Sequence, residues 1–146
     1  MNIKDYHLKS GTLLDERYQI ETVIGEGGFG ITYSGFSLHQ KDEKIAIKEF
    51  FLKDCMDRDC RSSNIVQILR EEDKEYCKHQ KQRFLKEART VSDFAQEPGI
   101  VRITDYFEEN QTAYIVMNYL EGQTLKNIWR HSLPWKRNPH FASCCR

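Results

Sequence analysis

The sequence predicts an α+β fold in which a five-stranded antiparallel sheet carries one long helix. Three predicted strands precede the helix and two follow it, and short polar turns join neighbouring strands. Because hairpins on both sides of a single helix leave no crossover between parallel strands, we expect the strands to run antiparallel. A chain of 146 residues is also the size of one domain, so these elements are expected to share a core.

The first two strands flank a glycine-rich turn. Residues 17–24 have the two-residue alternation of a strand, which places Tyr18, Ile20 and Thr22 on one face. Residues 31–36 are rich in β-branched and aromatic side chains, which also favours a strand. Four glycines lie in the turn between them: Gly25, Gly27, Gly28 and Gly30. Bare backbone N–H groups in such a turn can point at phosphate. The Gly-x-Gly-x-x-Gly spacing also fits a dinucleotide-binding turn, but that motif requires a helix where this sequence predicts a strand.

The third strand, residues 44–51, places Lys48 after small and apolar neighbours. Its side chain is therefore expected to leave a buried strand, where an ammonium group needs an anion. The ordinary alternative is a solvated lysine on an edge strand.

A helical period predicts the long helix over residues 75–96. Its apolar stripe is formed by Phe84, Ala88, Val91 and Ala95, with Leu85 and Phe94 widening it. Glu87 borders this stripe, so its carboxylate can turn inward rather than into solvent. Pro98 and Gly99 are expected to end the helix.

The last two strands are predicted over residues 100–107 and 113–119, and a short helix is expected to start at Thr124. The chain then divides into an N-terminal extension, a domain with a variable insertion, and an irregular basic tail. These parts cover residues 1–17, 18–129 with the insertion at 52–74, and 130–146.

Composition excludes several classes of function. Lys plus Arg and Asp plus Glu both number 22, so no overall basic charge favours nucleic acid or an anionic membrane. No apolar run approaches the roughly 18 residues that span a bilayer, and the first residues lack the apolar core of a secretory signal. A cytoplasmic location is therefore expected. The five cysteines are an odd number without Cys-x-x-Cys spacing, so we expect reduced thiols and no metal site.

Over residues 18–129 the motifs resemble the N-terminal lobe of a protein kinase. Four segments carry the resemblance: Gly25-Glu26-Gly27-Gly28-Phe29-Gly30, Ala46-Ile47-Lys48, Phe84-Leu85-Lys86-Glu87-Ala88-Arg89, and residues 114–122 as the fifth strand and hinge. The segments GEGGFGITY and FLKEART are most similar to the corresponding segments of bacterial serine/threonine kinases of the eukaryotic-like type.

This resemblance implies an ATP site and a role for each residue in it. Lys48 would hold the α- and β-phosphates and pair with Glu87 of the long helix, the αC helix of the family. Thr32 stands where the family prefers valine, and Asn118 replaces the common acidic residue of the hinge. The implied ATP-binding residues are Ile24, Gly25, Glu26, Gly27, Gly28, Phe29, Gly30, Thr32, Ala46, Lys48, Met117, Asn118 and Leu120.

Compared with the family, the 146 residues lack an H-R-D-x-x-x-x-N catalytic loop and therefore a catalytic base. They also lack the D-F-G motif, so the ligands for the Mg²⁺ that the family uses are absent. Asp93-Phe94-Ala95 is superficially similar to D-F-G but lies on the predicted helix.

We therefore expect a fragment, with the C-terminal lobe absent, that has no phosphotransferase activity by itself. The basic composition of residues 130–146 favours a truncated or frameshifted gene over a flexible basic tail. The alternative function is a non-catalytic module, similar to a pseudokinase, that binds nucleotide or docks on another kinase or protein through its exposed surface.

Overall fold

The computed structural model of the chain describes residues 4–40, 43–94 and 101–119. The elements within these ranges are β1 (Leu13–Leu14), β2 (Tyr18–Glu26), β3 (Gly30–Ser37), β4 (Lys44–Phe50), β5 (Met56–Asp57), β6 (Gln67–Ile68), a 3-10 turn (Glu71–Asp73), α1 (Lys74–Ser92), β7 (Ile103–Glu109) and β8 (Thr112–Asn118). The predictions for Thr124, Leu120, Ala95, Pro98, Gly99 and residues 130–146 lie outside the described residues.

The main sheet has the strand order β1-β2-β3-β4-β8-β7, and every neighbouring pair is antiparallel. The predicted α+β class, with an antiparallel sheet and one long helix, is confirmed. The strand count differs, because β1 extends the main sheet and β5 and β6 form a separate two-stranded ladder. Each of these three strands has two residues, which is too short for alternation to become visible in a sequence.

A bulge in β2 overturns one prediction about the faces of the sheet. Tyr18, Ile20 and Thr22 were predicted to share one face, but Tyr18 and Ile20 are buried whereas Thr22 is exposed and Val23 is buried in its place. The register of β2 against β3 shifts between Ile20 and Thr22, where one extra residue is inserted. Because the side-chain period of a strand is two, one inserted residue moves the following side chains to the opposite face.

The helix α1 buries most of the predicted stripe against the sheet. Phe84, Ala88 and Val91 are buried, and Cys77 joins them one turn from the start of the helix. The prediction for Phe94 is wrong, since its side chain is 53 % exposed. The helix ends at Ser92, so the helical period that aligned Phe94 with the stripe no longer applies there.

Two segments outside the predicted sheet also contribute to the core. In the N-terminal extension, His7, Leu8 and Leu14 are buried. In residues 52–74 the buried side chains are Leu52, Cys55, Met56, Arg58, Cys60 and Val66. These segments therefore belong to the same folded unit as the strands. In the part of the chain that the structure describes, no helix is long and apolar enough to cross a membrane.

Candidate functional site

The glycine-rich turn joins β2 to β3 with its backbone exposed. The N–H group of Gly27 donates to the carbonyl oxygen of Gly30 (2.9 Å), which closes the turn. Gly27 and Gly28 are exposed, and a Cβ atom added at either position meets no atom within 4 Å. Contacts within the described chain therefore do not explain these two glycines. Their bare backbone is open to the approach of another molecule.

Gly30 differs from its neighbours because the fold itself requires it. A Cβ atom at Gly30 would lie 2.6 Å from the carbonyl oxygen of Glu49 and 3.2 Å from Cε of Lys48. Without a side chain here, β3 approaches β4 closely and the Lys48 side chain passes beside the turn. The glycine motif thus combines open backbone at Gly27 and Gly28 with a close packing contact at Gly30.

Lys48 lies on the face of the sheet that α1 covers. Side chains alternate along β4, so Lys48 and Phe50 point to the same side. The Phe50 ring contacts the Phe84 ring of α1, with centroids 5.5 Å apart. Glu87 follows Phe84 by three residues and therefore lies near it on the helix surface. The structure therefore brings the two predicted partners to one side of the sheet. Both Lys48 and Glu87 are half-buried there.

Cross-strand pairs place three of the predicted adenine-binding residues, Thr32, Ala46 and Met117, on the same face as Lys48. Thr32 lies opposite Lys48 in the β3–β4 ladder, and Ala46 lies opposite Met117 in the β4–β8 ladder. Ala46 and Met117 are buried, whereas Thr32 and Ile24 are half-buried. Because Ala46 precedes Lys48 by two residues, these side chains form one continuous surface.

Asn118 ends β8 and is half-buried, and its backbone N–H donates to the carbonyl oxygen of Arg102 (3.2 Å). Phe29 is half-buried against the core, and its carbonyl oxygen accepts a hydrogen bond from the N–H of Phe51 (3.2 Å).

The side chain of Glu26, a predicted site residue, is held by the N-terminal extension and by Lys53. Its carboxylate accepts a hydrogen bond from the hydroxyl of Tyr6. It also lies 3.1 Å from Nε2 of His7 and 3.3 Å from the ammonium groups of Lys4 and Lys53. The backbone N–H of Lys4 donates to Nδ1 of His7, so Nε2 carries the proton that faces Glu26. Sequence reasoning missed these contacts.

These donors stabilise the charged form of Glu26. Burial by itself raises the pKa of Glu26, but hydrogen bonds from Tyr6, His7, Lys53 and Lys4 outweigh it and lower the pKa from 4.5 to about 2. Burial and the hydrogen bond to Glu26 raise the pKa of Tyr6, which keeps its hydroxyl protonated as a donor.

Acid should remove the stability that Glu26 contributes. Since its pKa in the folded protein is lower than in the unfolded chain, the contribution is complete above about pH 4.5 and is lost as the pH falls towards about 2. Denaturant unfolding of the native chain and of Glu26→Gln should therefore give a difference in unfolding free energy that shrinks over this range. Parallel pH profiles for the two proteins would contradict this assignment.

A buried ion pair lies on the opposite face of β4. Glu49 and Arg58 both have fully buried side chains, with Nη1–Oε2 and Nη2–Oε1 distances of 2.7 and 2.8 Å. Tyr33 donates its hydroxyl to Glu49 (3.1 Å), and burial raises the pKa of Tyr33. The sequence carried one signal of this pair, a single acidic residue in a strand whose other residues are apolar or lysine.

Cys55, Cys60 and Cys77 are free thiols. Across residues 4–40, 43–94 and 101–119, no group of three or more His, Cys, Asp or Glu side chains is arranged to hold a metal ion.

Comparison with known proteins supplies independent information about the family. The family model described as "Protein kinase domain" matches residues 18–142. A probable serine/threonine-protein kinase of Clostridium perfringens is 30 % identical over 128 residues, which is 86 % of this chain and 16 % of that protein. Serine/threonine-protein kinase PrkC of Bacillus subtilis is 34 % identical over 116 residues, covering 80 % of this chain and 14 % of PrkC.

A solved structure, the apo form of PpkA-294, superimposes with a TM-score of 0.75 at 29 % identity. The match covers 94 % of this chain and 50 % of that one. The chain thus spans 14–16 % of the length of the two curated relatives described above and half of the solved chain.

Proposed function

The chain belongs to the protein kinase family, and from this premise we propose that it binds ATP between the glycine-rich turn, Lys48 and the surface of β3, β4 and β8. The observation that carries the proposal is the contact at Gly30. There the Lys48 side chain passes within van der Waals reach of the turn. An open peptide backbone and an ammonium group are thereby placed side by side, which is the combination that a polyphosphate requires.

The phosphates would be held by charge-assisted hydrogen bonds. The exposed backbone at Gly28 offers an N–H group without a side chain in the way, and Lys48 offers a cation. Glu87 would orient Lys48 from α1. A solvated Lys–Glu pair contributes only about 0–1 kcal/mol to stability, so holding phosphate explains these two residues better than stability does.

The adenine ring would lie on the surface built by Ala46, Thr32 and Ile24. The small side chain of Ala46 would leave room for a flat ring to lie against it, and Met117 stands opposite Ala46 in the β4–β8 ladder. We include Asn118 and Leu120 as the segment that would read the adenine edge through its backbone.

We further propose that residues 1–146 bind nucleotide without transferring its γ-phosphoryl group when they act alone. Phosphoryl transfer depends on bound metal ions and an aligned hydroxyl group, and the motifs that supply both are not among these residues. Within a complete kinase domain, the same residues would supply the nucleotide-holding part of a serine/threonine phosphotransferase. Incorporation of γ-phosphate by the purified chain, lost in Lys48→Met, would contradict this proposal.

Lys48→Met tests the binding site directly. We expect the affinity for MgATP to fall by about ten- to hundredfold, because the variant loses a charge-assisted hydrogen bond to phosphate. Isothermal titration and the ATP-induced shift in melting temperature would both report this loss.

The matched control is Lys81→Met. Lys81 lies on α1 and pairs with Glu108 at 3.0 Å, so this variant also loses one ion-paired lysine but should retain nucleotide affinity. Equal affinities for the native chain and Lys48→Met, or equal losses in both variants, would overturn the proposed site.

A further inference from the structure

Tyr6 links the glycine-rich turn to the buried side of the sheet. Its carbonyl oxygen accepts hydrogen bonds from Nε and Nη2 of Arg58, at 3.0 and 2.7 Å. Its ring stacks on Phe51 with centroids 5.3 Å apart, and its hydroxyl donates to Glu26. One residue therefore contacts the end of β2, the segment after β4 and the buried ion pair.

The backbone around Tyr6 is held by buried side chains. Arg58 is buried and paired with Glu49, the residue that follows Lys48 in β4. The N–H of Leu8 donates to the hydroxyl of Tyr33 (3.1 Å), which fixes the chain on the other side of Tyr6. Three hydrogen bonds therefore attach the backbone of residues 6–8 to side chains of the sheet and of the segment that follows β4.

The turn has few other attachments. Gly27 and Gly28 are exposed, with open space around their α-carbons. On the β3 side, the carbonyl oxygen of Phe29 is held by the N–H of Phe51. On the β2 side, Glu26 is held by Tyr6, which stacks on the same Phe51, and by contacts with His7, Lys4 and Lys53. The two ends of the turn are thus anchored to one stacked pair of aromatic residues.

We infer that Tyr6 is a positioning residue for the glycine-rich turn, and that its hydroxyl, acting through Glu26, holds the backbone of Gly27 and Gly28 where the phosphates of a nucleotide would bind. The ligand part of this inference rests on the proposed function. A turn that is already held in place loses less conformational freedom when a ligand binds, so removing the anchor weakens binding without removing any ligand contact.

Tyr6→Phe tests this role, since it removes the hydroxyl but preserves the ring that stacks on Phe51. Tyr18→Phe is the matched control, because Tyr18 donates its hydroxyl to Asp105 (2.7 Å) and lies at the opposite end of β2 from Glu26. Both variants lose one tyrosine–carboxylate hydrogen bond, but only Tyr6→Phe loses one at the turn.

The first measurement uses the protein without nucleotide. Amide hydrogen exchange of Gly27, whose N–H closes the turn, should accelerate by about tenfold in Tyr6→Phe and remain unchanged in Tyr18→Phe. Exchange of core amides in β4 should be unchanged in both variants. Unchanged exchange of Gly27 in Tyr6→Phe, or equal acceleration at Gly27 and in β4, would overturn the inference whether or not the chain binds ATP.

The second measurement is the affinity for MgATP, which should fall by about three- to tenfold in Tyr6→Phe and stay unchanged in Tyr18→Phe. Glu26→Ala should weaken binding at least as much, because it also removes the contacts of Glu26 with His7, Lys4 and Lys53. The double variant should be no weaker than Glu26→Ala alone, because the Tyr6 hydroxyl acts through that carboxylate. Additive losses would overturn the inference. If the native chain binds no nucleotide while the exchange of Gly27 still responds, the proposed function fails and the positioning role stands.

Discussion

Replacing Arg58 by methionine should lower the free energy of unfolding by about 3–5 kcal/mol, because it leaves the carboxylate of Glu49 charged and buried without its partner. Both side chains of the pair are fully buried, so water cannot take the place of the lost guanidinium group. The same substitution removes the donors to the Tyr6 carbonyl oxygen and therefore also loosens the N-terminal extension.

Denaturant unfolding of Arg58→Met measures this loss, and two further variants separate its causes. Glu49→Met combined with Arg58→Met should recover much of the lost stability, since no uncompensated charge then remains. Arg61→Met should have little effect, because Arg61 pairs with Asp59 on the surface. An unfolding midpoint for Arg58→Met equal to that of the native chain would show that the pair does not stabilise the fold.

Two glycines of the same turn should respond in opposite ways to the same substitution. Gly30→Ala should lower the free energy of unfolding by about 1–3 kcal/mol, because its methyl group would overlap the Glu49 carbonyl oxygen at the β3–β4 contact. Gly28→Ala meets no atom within 4 Å and its φ is not positive, so the fold accommodates the methyl group. It should raise stability by about 0.4–1 kcal/mol through the lower entropy of the unfolded chain.

In Gly28→Ala, nucleotide affinity should fall although stability rises. The new methyl group would occupy the open side of the turn, where a phosphate needs to approach the backbone, so the affinity for MgATP should fall by about tenfold or more. Denaturant unfolding and calorimetric titration of both variants test the contrast. A Gly28→Ala chain that binds MgATP like the native chain would place the phosphates elsewhere.

Much of the sheet was accessible from local pattern alone. Alternation and β-branched residues predicted the five longer strands, and the helical period predicted α1 and its buried stripe. The exceptions have local causes that the periodicity of the sequence does not reveal. The bulge in β2 exposes Thr22, and the end of α1 at Ser92 leaves Phe94 exposed. Strands of two residues carry no period at all.

For the candidate site, too, some features could be predicted from local sequence and others could not. Lys48, Glu87 and the glycines were predicted from sequence motifs that fall on a predicted strand, helix and turn. Strand register and helix period then determine that Lys48 and Glu87 share a face. The turn at Gly27 and Gly28 needs no distant contact to be recognised, since glycine itself indicates bare backbone.

Tertiary structure alone decided how the turn and the buried charges are held. Tyr6 and Glu26 are 20 residues apart, and Arg58 reaches Glu49 from a loop that follows β4. A charged side chain is unfavourable in the core without a partner, and the residues next to Arg58 in the sequence do not indicate that its partner is Glu49. By itself, the sequence predicted the five longer strands, the helix and the residues proposed for the candidate site. Only the folded chain determined which distant groups make burial of those charges possible and anchor the turn.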